Sequence, residues 1–211
     1  MKNSIAQKID YTILKPTVSE GEIEKTCMTA IKRHYYSVCS YPIYAQRLYK
    51  FLKNTNVKVC TVHNFPNGQC RGSAISAEIQ GEFEYVDEFD VVLPFYFIAN
   101  NHINEFNKWC KSLRKSCEDK IVKIIIEISL LNEYQIREIC EILIKNKIDF
   151  VKTSTGFGNR KTYVTDITLL KKICGNRIKI KAAGGIKDLK TAEWMMQLGA
   201  DRIGTSADLL K

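Results

Sequence analysis

A (β/α)8 barrel is the fold this sequence predicts, and three observations predict it. Short apolar stretches of β character alternate with stretches of helical periodicity along the whole chain. The connections between them are a few residues long, with no linker, low-complexity segment or break in composition. Eight strand candidates occur at this spacing, which fits a closed barrel better than an open doubly wound sheet. A single domain over residues 1–211 follows. About 250 residues is typical of such barrels, so the loops here must be lean. A seven-strand miscount or a flavodoxin-like sheet is the competing architecture.

Residues 9–16 form a short extended stretch ended by proline, and residues 17–20 offer helix caps. Ile23, Cys27, Ala30 and Ile31 then repeat at helical spacing as far as His34. Residues 37–41 are β-like. Pro42 opens a helix carrying Tyr44, Leu48, Phe51 and Leu52. Residues 57–62 read as a strand, 64–68 as an Asn/Pro/Gly turn, and 73–82 as a helix. Residues 88–93 are a strand closed by Pro94. The next helix shows Ile103, Phe106, Cys110, Leu113 and Cys117 on one face. Residues 121–128 are apolar apart from two interruptions, as in a strand buried on both faces. Asn132 caps a helix whose Ile136, Ile139, Cys140, Leu143 and Ile144 make a continuous stripe. Strand 149–152, a helix through Ile167, Leu170 and Ile173, and strand 178–181 follow. A helix over about 189–198 stops at Gly199, and residues 202–206 are the last strand and turn.

Composition narrows the function. The chain is 45% hydrophobic and 26% charged, ordinary for a soluble globular enzyme. Its net charge of +9 is spread along the chain, with no arginine-rich tract and no aromatic-interleaved basic patch, so a nucleic-acid partner is not expected. A mild positive field suits a phosphorylated metabolite. None of the eight cysteines forms a CxxC pair, and several fall on apolar faces, which argues for free thiols in a reducing compartment. The N-terminal stretch lacks the apolar core of a signal peptide, and no segment is long and apolar enough to span a membrane. A cytoplasmic protein is expected. Its partners would be a small phosphosugar and, at most, a second copy of itself in a homodimer.

Two strands end in lysine followed directly by small residues: DFVK before TSTG, with Lys152, and IKIK before AAGG, with Lys181. A lysine ending an apolar strand is partly desolvated, which disfavours its ammonium form. The free amine can attack a carbonyl to form a Schiff base. At one end of one parallel sheet the two lysines would face each other, and each charge would disfavour the other. Taken singly, either lysine is equally well a strand-end side chain snorkelling to water. Asp90 lies inside an apolar strand and needs a reason to be there. That reason is either an ion pair with a lysine or the same contact used for proton transfer. Asp10 is a similar case in a less apolar strand.

In such barrels the active site lies at the carboxyl ends of the strands, and phosphate is often held after strands seven and eight. Here those loops contain Gly184 and Gly185, and Gly204, Thr205 and Ser206, where glycine lets backbone N–H groups approach an anion. His34 and His102 read as surface residues, while His63 ends a strand and is a candidate to face the pocket. No second histidine lies near it in sequence, so no metal is expected. Neither GxGxxG nor a P-loop is present, so no nucleotide cofactor is expected either.

An ordered set of segments carries a family resemblance: IDYTILKP from Ile9, VCSYP from Val38, VCTV from Val59 with FP at Phe65, DEFDVV from Asp87, EISLL from Glu127, VKTSTGFG from Val151, KAAGGI from Lys181 and RIGTS from Arg202. Together these are similar to the deoxyribose-phosphate aldolases, class I aldolases on a (β/α)8 barrel, through nearly the whole chain. The resemblance implies that Lys152 is the Schiff-base lysine and Lys181 the partner that favours its neutral form. It implies Asp90 in the proton transfers, Asp10 as a supporting carboxylate, and phosphate held by Gly156, Gly184, Gly185, Gly204 and Ser206. The implied reaction is reversible cleavage of 2-deoxy-D-ribose 5-phosphate to acetaldehyde and D-glyceraldehyde 3-phosphate, without a cofactor.

Two departures touch the phosphate end. Asn159, Arg160 and Lys161 stand where the family often has a glycine-rich turn, and Ala207 follows Ser206 where many members have a second serine. Arg160 or Lys161 is a candidate to restore charge there, beside an ordinary surface role. Another Schiff-base aldolase or transaldolase, and a phosphosugar-binding barrel without turnover, are the competing functions. Leucine at position 181 is expected to leave the fold intact, since it matches the lysine stem.

Overall fold

The computed structural model describes residues 5–211, so the first four residues of the N-terminal stretch considered above for targeting lie outside it. Eight strands close into one barrel: β1 (Ile9–Thr12), β2 (Ser37–Ser40), β3 (Lys58–His63), β4 (Glu88–Val92), β5 (Ile121–Ile125), β6 (Phe150–Lys152), β7 (Lys179–Ala183) and β8 (Arg202–Thr205). Each strand runs parallel to the next, and β1 closes on β8 with Ile9 opposite Ile203.

The helices α1 (Glu20–Arg33), α2 (Ala45–Leu52), α3 (Gly72–Glu82), α4 (Phe95–Ala99), α5 (Ile103–Ser116), α6 (Glu133–Lys145), α7 (Val164–Cys174) and α8 (Leu189–Gln197) occupy the connections. Local signals start several of them. Ser19 forms a capping box with Glu22 at α1, and Asn132 forms one with Gln135 at α6, each satisfying backbone N–H groups that a first turn leaves free. None of the described helices is long and apolar enough to cross a membrane.

Two elements differ from the sequence expectation. α4 lies where only a closing turn after Pro94 was expected, because five residues rich in aromatics carry no helical stripe of their own. β5 stops at Ile125 rather than 128. Glu127 takes up a left-handed conformation (φ 42°) and turns the chain into a 3-10 turn, Ile128–Leu130.

Alternate side chains of each strand point inward and outward. The outward ones, such as Phe89, Val91, Val122, Ile124, Val151, Ile180 and Ile203, join Ile23, Leu48, Ile79, Phe106, Ile139 and Leu170 of the helices in one large apolar core. Each fully buried aliphatic side chain there contributes about 1.5–3 kcal/mol. This outer shell holds the fold, which leaves the barrel interior free to carry polar groups. Inside, apolar residues form only a small cluster of Leu14, Cys39, Cys60 and Val62 on the β1–β3 side. All eight cysteines are free, and all but Cys70 are buried.

His63 does not face the pocket. Its alternation on β3 turns it outward, where Nδ1 meets Glu78 Oε2 and Nε2 meets Glu82 Oε1 on α3, each at 2.7 Å. Burial disfavours the imidazolium, but the two carboxylates outweigh burial and raise its pKa above the ordinary histidine value. A raised folded-state pKa stabilises the fold fully below the unfolded value of about 6.5 and loses that contribution as pH rises through the folded value. The melting temperatures of wild type and His63→Gln should therefore differ most below about pH 6.5 and converge at higher pH. A gap independent of pH from 6 to 9 would show that His63 is held there neutral.

Candidate active site

Asp90 on β4 is the centre of the barrel interior. Its Oδ1 accepts a hydrogen bond from Lys123 Nζ of β5 at 2.8 Å. Its Oδ2 accepts from Lys152 Nζ of β6 and Lys181 Nζ of β7, each at 2.7 Å. Lys123 Nζ also lies 2.6 Å from Glu88 Oε2 on β4. Glu88 Oε2 accepts from Arg202 Nη2 of β8 at 3.1 Å, and Arg202 Nε donates to Asp10 Oδ1 of β1 at 3.0 Å. Asp10 Oδ2 lies 2.5 Å from Lys181 Nζ, an ion pair by proximity rather than a directed hydrogen bond. The circuit is closed: Asp90, Lys123, Glu88, Arg202, Asp10, Lys181 and back to Asp90, with charge alternating at every step.

Register produces this arrangement. β4 sets Asp90 beside Lys123, β6 sets Lys152 beside Lys181, and β7 sets Lys181 beside Arg202. Ser37 Oγ donates to Asp10 Oδ1 at 2.7 Å, and the Arg202 guanidinium stacks 3.4 Å above the Tyr36 ring. All members of the circuit are buried. Burial alone would make the acids reluctant to ionise, but the surrounding cations hold Asp90 and Asp10 below the usual carboxylate range. Burial would likewise favour neutral amines at Lys123 and Lys181. Asp90, with Glu88 and Asp10, outweighs it and holds both ammonium groups above the ordinary lysine range.

The two predicted lysines thus meet across a shared carboxylate rather than ammonium to ammonium. The six-membered circuit is neutral by formal charge, and Lys152 hangs from it as a fourth cation. The whole group therefore carries one formal positive charge in excess. Lys152 is also its one member lining the cavity of about 730 Å³ that opens at the carboxyl ends of the strands.

Gly156, Gly184, Gly185, Gly204 and Ser206 line the same cavity. Gly156, Gly184 and Gly185 have φ of 88°, 98° and 80°, a conformation that suits glycine. A Cβ on Gly184 would lie 3.0 Å from Ser154 Cβ, and one on Gly185 2.6 Å from Lys161 Cβ. Gly204 does a different job. It lies within β8, and a Cβ there would sit 3.1 Å from Lys181 Cε, so its smallness clears the path of that side chain.

Cys39 Sγ, Cys60 Sγ and an Asp90 oxygen lie within 4.8 Å of one another. This set does not suit a metal ion. Both Asp90 oxygens already accept from ammonium groups, and three lysine charges oppose a cation.

Comparison with known proteins bears out the barrel fold. No protein-family profile matches the chain. The deoxyribose-phosphate aldolase of Dictyoglomus turgidum is 39% identical over 204 residues, covering 96% of this chain and 93% of that one. This chain belongs to the deoxyribose-phosphate aldolase family. A solved aldolase designated QR15 superimposes with a TM-score of 0.92 at 35% identity, covering 96% of this chain and 91% of that one. The tetrameric deoxyribose phosphate aldolase of Aeropyrum pernix superimposes with a TM-score of 0.91 at 25% identity, covering 98% and 88%.

Arg160, a candidate to restore charge at the departure from the aldolase pattern, is engaged elsewhere. It forks onto Asp166 at 2.7 and 2.9 Å and stacks 4.7 Å from the Tyr163 ring. Lys161 packs against Gly185 and does not line the opening. Lys15, Lys25 and Lys187 line it instead. They come from the loop after β1, from α1 and from the loop after β7, so no sequence window joins them. Glu127 was also unforeseen. Its Oε2 accepts from Thr155 N at 2.9 Å and Thr155 Oγ1 at 2.5 Å, fixing the loop after Lys152.

The circuit corrects one expectation about stability. Lys181 is paired on two sides, so leucine there would strand Asp10 Oδ2 and weaken the hold on Asp90. Breaking a buried pair from one side costs about 3–5 kcal/mol. Urea denaturation of Lys181→Leu should show a loss in that range, and a loss below about 1 kcal/mol, as for surface pairs, would mean the circuit does not hold Lys181 in solution.

Proposed function

We propose that the chain is a class I aldolase that reversibly cleaves 2-deoxy-D-ribose 5-phosphate to acetaldehyde and D-glyceraldehyde 3-phosphate, with Lys152 forming the Schiff base. One observation carries the assignment: Lys152 is the amine at which the buried charged group meets the cavity. Family membership supports the reaction.

In this reading the Lys152 amine adds to C1 of the open-chain sugar, and loss of water leaves an iminium that serves as the electron sink. The C3 hydroxyl gives its proton to a water held beside Asp90 and Lys181, the C2–C3 bond breaks, and its electron pair enters the iminium to give an enamine. Glyceraldehyde 3-phosphate departs. Protonation at C2 and hydrolysis then release acetaldehyde and return the amine. Asp90 is held too firmly ionised to be the acid. Its part is to orient the neighbouring ammonium groups and a water, with Lys181 as the donor behind that water. Acid–base assistance of this kind contributes about 10²–10⁴-fold.

Gly156, Gly184, Gly185, Gly204 and Ser206 are proposed to frame the phosphate, with Lys15, Lys25 and Lys187 supplying charge at the opening. No cofactor enters. The proposal extends to a cytoplasmic enzyme that associates with itself, as its Aeropyrum pernix relative does.

An assay with deoxyribose 5-phosphate, coupled to detection of glyceraldehyde 3-phosphate, should show turnover that a chelator leaves unchanged. Loss on chelation, restored by a divalent metal, would point to a metal-dependent aldolase instead. Borohydride with acetaldehyde should trap one adduct, mapped to Lys152 by peptide mass. Lys152→Ala should lose both the adduct and turnover, down to the uncatalysed level. An adduct at any other lysine would overturn the assignment, and a folded protein inert toward deoxyribose 5-phosphate would favour a binding barrel.

A further inference from the structure

Glu127 takes no part in the chemistry described above and does not line the cavity. It is nevertheless a buried acid just after β5, held in the left-handed region at φ 42°. A residue with a Cβ keeps that conformation only where its surroundings fix it. Here the surroundings are the loop after Lys152. Glu127 Oε2 accepts from Thr155 N at 2.9 Å and from Thr155 Oγ1 at 2.5 Å. The same hydroxyl accepts from Phe157 N at 3.0 Å. A Cβ on Gly158 would lie 2.6 Å from Glu127 Oε1 and 2.7 Å from its Cδ. Gly158 is exposed and lies outside the left-handed region, so it is space for this carboxyl group that requires glycine there.

Of the three N–H groups of residues 155–157, those of Thr155 and Phe157 are taken. That of Gly156 has no protein partner among the described residues. The turn after β8 repeats the device. Thr205 Oγ1 accepts from Ala207 N at 3.0 Å and donates to Ile186 O at 2.7 Å. The Ser206 N–H between them has no protein partner among the described residues. Gly156 and Ser206 both line the cavity. After each strand, an anchored threonine hydroxyl draws in the N–H two residues on and leaves the middle one available to a ligand.

We infer that Glu127 is a positioning residue for the substrate phosphate: by tying down Thr155 it holds the Gly156 N–H ready for the anion. The loop needs such a tie. Its ends are pinned by buried hydroxyls, Thr153 Oγ1 to Ala183 O and Ser154 Oγ to Thr162 Oγ1, each at 2.9 Å. Between these pins Gly156 and Gly158 flank Phe157 and leave the backbone permissive. A donor ordered before the anion arrives spares the cost of ordering it on binding.

The inference rests on the proposed sugar-phosphate substrate, so the test reads both. Steady-state kinetics with 2-deoxyribose 5-phosphate and with unphosphorylated 2-deoxyribose, and inhibition by inorganic phosphate, would be measured for wild type, Glu127→Ala, Glu127→Gln and Gly158→Ala. Glu127→Ala should raise KM for the phosphorylated sugar, and the inhibition constant of inorganic phosphate, by about five- to tenfold, the net worth of one hydrogen bond. For the unphosphorylated sugar kcat/KM should fall by no more than about twofold, less than a net hydrogen bond is worth. Glu127→Gln keeps an oxygen for Thr155 N and should stay near wild type. Gly158→Ala displaces the carboxyl group from an exposed position and should repeat the selective loss, so it decides alone if Glu127→Ala does not fold. An equal loss on both sugars would mean that Glu127 serves only the fold, and no loss on either would mean that the loop needs no tie. Either result overturns this inference and leaves the proposed function standing. A wild type that does not prefer the phosphorylated sugar removes both.

Discussion

The shared carboxylate of Asp90 is the constraint on which the rest of this structure depends. Three ammonium groups converge on its two oxygens in the buried interior of the barrel. A carboxylate so placed is stable only because it is surrounded, and each lysine is stable only because it is paired. The alternating circuit through Glu88, Arg202 and Asp10 distributes that dependence around the barrel, so strands β1, β4, β5, β7 and β8 are tied by charge as well as by backbone. One cation beyond neutrality remains, and the fold places it where the interior meets the cavity.

This division of labour explains why the interior tolerates such a cluster. Stability comes from the apolar shell between strands and helices, which is continuous around the barrel. The interior has to be satisfied rather than stabilising, and a closed neutral circuit satisfies it. The one unmatched cation, Lys152, is left where the interior meets the cavity. Glycine enters the same scheme twice, at the mouth in left-handed turns and at Gly204 as space for the Lys181 stem.

Much of this was legible in the sequence, and the remainder was hidden for identifiable reasons. Alternating strand and helix signals gave the barrel, and Lys152, Lys181 and Asp90 stood out because each is polar within an apolar strand. Lys123 has the same signature but lies alone in a long apolar run, and nothing local says that β4 and β5 pair it with Asp90. Glu88 and Arg202 begin their strands, where a charged residue looks like an ordinary boundary. His63 ends a strand as a pocket residue would, and only the inward–outward alternation sends it to α3. Lys15, Lys25 and Lys187 sit on separate connections that only closure of the barrel brings together. In each case the missing information is register or closure, both properties of the whole chain.

Neutron diffraction from deuterated crystals at the pH of maximal activity tests the central claim most directly, because it counts the deuterons on each amine. The account predicts three on Lys123 Nζ and three on Lys181 Nζ, with Asp10 and Asp90 bare. A neutral Lys181 or Lys123, or a deuteron on Asp90, would contradict it.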